Sequence, residues 1–304
     1  MAEGTVALSS DHPLWDPAWI PDKGEELIKE KETTESPDIT FFGLWASTTC
    51  HRVWIALEEL NVSYKWIEIN PYIVDASCPG GYTKTPLSLE QKAAAYPDWI
   101  AACPKGVVPG FSIVDEDGKT HLLNESENLV CFLDDRYGSG NQETENTLMP
   151  ESPFTRAYIR HWMACFMEKI NKPFIRIVMG LGDPTELMDE YHSGYRELAW
   201  AMAPIEEGPF FAGQLFSQFD CLAAAQFRRY IEVGQYYYPD KLALPGREDP
   251  DFARIWHWWD AVSARPSYVK TYVCKQRLID SNAMYASGKA TSSYALQMKA
   301  QYGE

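Results

Sequence analysis

Residues 39–60, ITFFGLWASTTCHRVWIALEEL, constrain the fold more than any other stretch of the chain. Residues 39–45 are rich in β-forming side chains and read as a strand. Ala46-Ser47-Thr48-Thr49 follows, a polar turn carrying helix N-cap residues. Val53, Leu57 and Leu60 then recur at i, i+4 and i+7, the spacing of one helical face. Such a joint aims free backbone N–H groups and a partial positive charge at whatever sits before it. A thiolate placed there is stabilised, and Ser47 at the helix mouth can donate a hydrogen bond to one.

Downstream of the joint, Tyr64, Trp66 and Glu68 alternate against Lys65, Ile67 and Ile69, so residues 63–70 read as a mostly buried strand. Strand, helix and strand at this spacing imply a right-handed crossover and parallel pairing. Residues 71–95, with Pro79, Gly80, Gly81 and Pro86, read as a long irregular segment of the kind that carries function or insertions. Two apolar runs, 111–114 and 121–123, flank Asp115-Glu116-Asp117-Gly118, a hairpin turn signal. Glu125-Ser126 then opens a helix with Leu129, Phe132 and Leu133 on its apolar side. Residues 39–137 thus read as one α/β domain, and the polar residues 138–150 as a linker.

After residue 150 the pattern turns helical. Apolar periodicity predicts helices over 153–178, bent at Pro173, and over 184–203. A third runs from the Ser217–Asp220 capping signal to about residue 236, and a fourth covers 249–264. An all-helical domain is expected over 151–285. Residues 286–304 show little apolar pattern and form either a final packed turn or a loose tail. Residues 1–38 read as an extension, with Trp15 and Trp19 among prolines before a charged stretch.

Net charge excludes several partners. At -16, the chain lacks the clustered Lys and Arg that phosphate contacts need, which argues against nucleic acid and anionic membranes. No apolar run reaches the ~18 residues of a membrane span. The first residues have neither a basic start nor a long apolar segment, so a cytoplasmic location is expected. Seven cysteines scattered singly read as reduced thiols, and no paired spacing suggests zinc or another metal. Eleven Trp and seventeen Tyr imply either a large aromatic core or an aromatic-lined cleft.

This combination resembles a cytosolic glutathione transferase of the omega class, over about residues 39–275. The marks are Ser47-Thr-Thr-Cys-His-Arg52, Pro97-Asp-Trp99 and Cys103-Pro-Lys-Gly-Val-Val-Pro109. Asn124-Glu-Ser126 with Cys131-Phe-Leu-Asp-Asp135, Leu148-Met-Pro150, and Phe210-Phe-Ala-Gly213 before the capping box complete them. The resemblance implies a thioredoxin-like α/β N-terminal domain followed by an all-α C-terminal domain. It implies glutathione as co-substrate, a detoxifying transferase and a homodimer. Pro109 would be a cis-proline, with Val108 presenting backbone N–H and C=O to the cysteinyl part of glutathione. Glu125 and Ser126 would hold the γ-glutamyl end.

Departures from the family pattern reassign the chemistry. The position of the omega-class catalytic cysteine is Ser47, as in serine-containing fungal omega-like members, and Thr48 follows where the family usually has Pro. Ser47 would therefore stabilise the glutathione thiolate. Cys50 falls like the second cysteine of a CxxC, shielded by its helix. His51 is expected at the surface or an interface. Tyr96 stands where the family often has a lysine near the glycyl carboxylate, and Lys92 or Lys84 would supply that charge. Tyr158, Trp162 and Phe166 share one helix stripe, which is either the wall of a cleft for a hydrophobic aromatic substrate or a helix–helix core. Three activities stay open: a transferase acting through Ser47, a glutathione-dependent thiol reductase acting through Cys50, and a ligand-binding protein for aromatic or polyphenolic compounds.

Overall fold

The computed structural model describes residues 38–138 and 147–303. The expected extension up to residue 37 and residues 139–146 of the expected linker lie outside the described residues. The first domain holds a four-stranded sheet in the order β2-β1-β5-β6. Its strands are β1 (Ile39–Gly43), β2 (Tyr64–Glu68), β5 (Gly110–Val114) and β6 (Thr120–Asn124). β1 and β2 pair in parallel across helix α1 (Thr48–Glu59), as a right-handed crossover requires. β5 and β6 pair antiparallel. In the register, Phe41 stands between Trp66 and Phe111, with ring centroids 4.7 and 5.4 Å away. Such edge-on aromatic pairs fix the sheet beyond what buried area alone gives.

The segment 71–95 departs from the irregular loop expected of it. β3 (Tyr72–Val74) and β4 (Tyr82–Pro86) form a small hairpin, and helix α2 (Leu89–Ala95) follows. Stacked Tyr72 and Tyr82, 5.6 Å apart, tie the hairpin together. Ser88 and Gln91 close a reciprocal capping box that starts α2. Helix α3 (Pro97–Ala102) leads to β5, and α4 (Ser126–Tyr137) closes the domain.

The second domain is helical. The expected helix over 153–178 is two helices, α5 (Pro153–Phe166) and α6 (Lys172–Met179), joined by a π-helical turn, Met167–Asn171. Pro173 lacks an N–H and its ring crowds the carbonyl four residues back, Lys169. The wide turn absorbs that conflict, with Lys172 N–H reaching back to Met167. The freed Lys169 carbonyl lies against Gly194, where a Cβ would sit only 2.6 Å from its oxygen. Gly194 belongs to α7 (Pro184–Ala201).

Helix α8 (Gln218–Arg229) starts at the Ser217–Asp220 capping box and continues through a π turn, Tyr230–Gly234, into α9 (Gln235–Tyr237). Short α10 (Pro239–Leu242), then α11 (Ala253–Ser263), α12 (Pro266–Lys270), α13 (Lys275–Ser281) and α14 (Ala283–Ala286) follow. The tail is not loose. Residues Ser293–Tyr302 form α15, started by a Ser292 cap. Ala290, Ala295 and Met298 pack it onto Met179 and Leu181.

One core runs through both domains, and α1 is its axis, packed against α4, α8 and α12. Polar contacts fasten the joint. Arg265 and Ser267 both donate to the buried Glu59 carboxylate at the end of α1. His51, expected at the surface or an interface, is buried and shares a 3.1 Å hydrogen bond with Thr271. Burial and the nearby Arg229 and Arg228 hold its pKa well below the usual histidine value, so it is neutral. From Cys50 onward α1 is covered on nearly every side, so His51 meets the second domain rather than solvent.

Candidate active site

Ser47 caps α1. Its Oγ accepts the Cys50 N–H at 3.3 Å and lies 2.8 Å from Thr49 Oγ1. Thr49 Oγ1 in turn donates to the Val108 carbonyl at 3.4 Å. The Val108–Pro109 peptide bond is cis. Among the described residues the Val108 N–H makes no hydrogen bond, so it is open to a ligand in the manner of a sheet edge. The strand–turn–helix joint thus meets the end of the Val108–Pro109 turn through two hydroxyl groups.

On the other side of Val108 a cavity of about 310 Å³ is lined by Thr49, Lys105, Val107, Asn124, Glu125 and Ser126, among others. Glu125 has φ +68°, a region side chains rarely adopt, and it precedes the first turn of α4. Positions of this kind cost about 1–3 kcal/mol and cluster at ligand clamps. Ser126, buried at the start of α4, places a hydroxyl and a backbone N–H where a helix attracts a carboxylate. Glu125 is exposed, 3.9 Å from Lys105 Nζ.

A larger cavity of about 480 Å³ lies between the domains, on the Ser47 side. Ser47, Thr48, Thr49, Val108 and Lys92 line one wall. The π turn and α6 supply the opposite wall through Met167, Asn171, Phe174 and Val178. The β3–β4 hairpin and the C-terminal segment complete it with Tyr72, Lys84, Tyr285 and Tyr294. Thr291 Oγ1 donates to Thr85 Oγ1 at 3.0 Å, which fastens that segment to the hairpin.

Tyr158, Trp162 and Phe166 do not reach this cavity. Tyr158 stacks on Phe211 at 5.8 Å and donates to the Ala201 carbonyl. Trp162 and Phe166 are buried, Phe166 against Phe219 and Tyr230. Their stripe is a helix–helix core; the cavity wall begins one turn further on, in the π turn and α6. Lys92 is at the cavity edge, its Nζ donating to the Gly106 carbonyl at 2.9 Å. Burial lowers its pKa.

Thiol chemistry from the protein itself is disfavoured here. Cys50 is fully buried, and burial pushes its pKa up to about 12 despite hydrogen bonds from Ser47 and Leu44. Cys103, lining the smaller cavity, is likewise pushed up to about 12 by burial. Among the described residues no group of His, Cys, Asp and Glu side chains could hold a metal ion. Likewise no helix is long and apolar enough to cross a membrane. Thr49 is the site residue that sequence reading missed. Its only signal was membership of the N-cap run, which does not say which hydroxyl faces Val108.

Comparison with known proteins agrees with this geometry. Residues 46–136 match the family model for the glutathione S-transferase N-terminal domain. No curated protein matches. Glutathione transferase Omega 3C from Trametes versicolor is similar in structure, with TM-score 0.59 and 23% identity over 79% of this chain and 91% of that one. Omega 2S from the same organism, solved with 2,4-dihydroxybenzophenone, gives TM-score 0.54 and 22% identity over 77% and 92%. Ure2p in complex with S-hexylglutathione gives TM-score 0.54 and 16% identity over 77% and 98%. Residues 46–136 therefore match the glutathione S-transferase N-terminal domain, and the chain as a whole shares the fold of these glutathione transferases.

Proposed function

We propose that the protein is a glutathione transferase in which Ser47 stabilises the glutathione thiolate for attack on a hydrophobic or aromatic electrophile. Glutathione would lie along Val108, with its γ-glutamyl end at Glu125 and Ser126 and its thiol toward Ser47. The reading rests on the Ser47 hydroxyl at the N-cap of α1, linked through Thr49 to the open edge at Val108. In the bound state the cysteinyl N–H takes over the Val108 carbonyl, which frees the Thr49 proton to turn toward Ser47 Oγ. The Ser47 proton is then available to the thiolate, lowering the thiol pKa. The larger cavity takes the electrophile, and its mixed aromatic and aliphatic lining suits planar compounds.

Burial of Cys50 supports a transferase over a thiol reductase. A ligand-binding role is the second reading; the size of the cavity and the dihydroxybenzophenone held by the Omega 2S structure favour it. A cytoplasmic, homodimeric, detoxifying enzyme completes the proposal. The experiment is conjugation of an activated aryl halide by the full chain, with hydroxyethyl disulfide reduction in parallel. Conjugation lost in Ser47→Ala supports the transferase. Disulfide reduction without conjugation overturns it in favour of a thiol reductase. Binding of a displaceable hydrophobic dye with neither activity points to the ligand-binding role.

A further inference from the structure

The larger cavity carries a charge pattern opposite to that of the whole chain. Lys84, Lys92, Lys105 and Arg229 line it, and among the described residues no carboxylate does, although the net charge of the chain is -16. Lys92 sits at the cavity edge beside Gly106, away from the aromatic wall, and Lys105 faces Glu125. Lys84 and Arg229 remain, one from the hairpin and one from α8.

Lys84 is 5% exposed, and its ammonium makes no hydrogen bond or ion pair among the described residues. Its Nζ sits 4.7 Å from the ring of Tyr82, 4.9 Å from Tyr72 and 5.5 Å from Tyr285. Its backbone is held at φ +57°, an unfavourable conformation for a side chain of this size. Arg229, also buried, spends two N–H groups on the Ala225 and Ala46 carbonyls at 2.7 and 2.8 Å. Neither bond neutralises its charge. Aromatic rings offset only part of the cost of burying a cation. The pair is therefore a positive site short of its anion, and burial with the nearby Arg229 lowers the Lys84 pKa to about 7.

We propose that Lys84 and Arg229 form an anion subsite for the carboxylate of an aromatic acid, so that the preferred acceptor is an aromatic carboxylate. The proposal rests on the reading of this cavity as the acceptor site. The ring of such an acid fits among Tyr72, Tyr285, Phe174 and Val178, all in the lining. A carboxylate neutralises the two cations, and none of the cavity side chains competes for it with a charge of its own. The subsite is separate from the γ-glutamyl pocket beyond Val108, which shares neither Lys84 nor Arg229.

Binding and turnover together test it. Isothermal titration of 2-naphthoate and 2-naphthamide is done on wild type, Lys84→Met and Lys84→Arg, with circular dichroism confirming that each variant is folded. Naphthoate is expected to bind wild type at least about tenfold more tightly than the amide. Lys84→Met is expected to collapse that ratio toward one, and Lys84→Arg to keep most of it. In turnover, 4-(bromomethyl)benzoate is compared with its methyl ester, and the acid-over-ester ratio of kcat/KM is expected to fall in Lys84→Met. A Lys84-dependent naphthoate preference without turnover of either halide keeps the subsite and removes the transferase reading. Equal binding of acid and amide by wild type overturns the subsite. So does a Lys84→Met variant that keeps its naphthoate preference but loses affinity for glutathione, since Lys84 then serves the glycyl carboxylate.

Discussion

Ser47 Oγ and Thr49 Oγ1 lie 2.8 Å apart, and only one of the two hydroxyls can hand its proton to the other. Of these two residues, Thr49 lines both cavities and Ser47 lines only the larger one. The two should therefore behave as a unit rather than as independent donors. Ser47→Ala is expected to raise the pKa of bound glutathione by roughly one to two units, the loss of one hydrogen bond to a charged acceptor. Thr49→Val should raise it by less, because Ser47 then keeps its own proton. The double variant should cost little more than Ser47→Ala alone, which ultraviolet titration of the bound thiolate checks. Additive shifts from the two substitutions would show that each hydroxyl contacts the sulfur separately.

Cys50 should be inert. Its Sγ accepts the Leu44 N–H at 3.3 Å inside the core, and burial holds the thiol at about 12. Brief alkylation of the native protein followed by peptide mass mapping should leave Cys50, Cys103 and Cys221 unlabelled, since all three are buried. Cys50→Ser should change conjugation by less than about threefold, because a hydroxyl retains the acceptor. Stoichiometric labelling of Cys50 in folded protein would revive the reductase reading.

The path from the residues to the site is only partly visible in the sequence. Strand order around α1 is legible because the apolar alternation at residues 64–68 and the Asp115–Gly118 turn are local signals. The Ser217–Asp220 cap is local too, and it forms as the pattern implies. Tyr158, Trp162 and Phe166 show the limit. Periodicity tells which face of a helix is buried and says nothing of whether protein or ligand covers it. The π turn before Pro173 then moves the cavity wall to Met167, Asn171 and Phe174, a shift of phase that a regular helical projection misses. Lys84 is harder still. Within a segment that reads as irregular, nothing local marks it as buried, and it is the hairpin tyrosines and Tyr285 of α14 that enclose it.

Gly194 tests how tightly that wall is set. A Cβ at this position would meet the Lys169 carbonyl oxygen at 2.6 Å and its carbon at 3.0 Å, both backbone atoms of the π turn. Helix propensity alone favours Ala over Gly by about 1 kcal/mol. The clash should outweigh that gain, since the turn can yield only by shifting the wall that carries Asn171 and Phe174. Gly194→Ala is expected to lose about 1–3 kcal/mol in urea denaturation and to weaken binding of aromatic ligands. A stabilised variant would mean that the turn relaxes freely.

Lys84 links stability to pH in a direction that can be worked out in advance. Its ordinary value is 10.5, and the folded protein lowers it to about 7 through burial, then the neighbouring Arg229. Tyr72 on β3, Tyr82 on β4 and Tyr285 on α14 face it as neutral rings. Between these two values the unfolded chain holds a proton that the folded chain lacks, so this group makes stability rise with pH across that window. Below about 7 both states are protonated and the full cost of burying the cation is borne. Lys84→Met keeps a side chain of similar length without the charge. The variant should be more stable than wild type at pH 7, by at least about 1 kcal/mol, with the difference shrinking as pH approaches 10.5. Saturating 2-naphthoate should stabilise wild type at pH 7 and have much less effect on the variant. Urea denaturation at pH about 7 and about 10 reads both effects, and a variant destabilised equally at the two values would show that the Lys84 ammonium is already compensated in the folded protein.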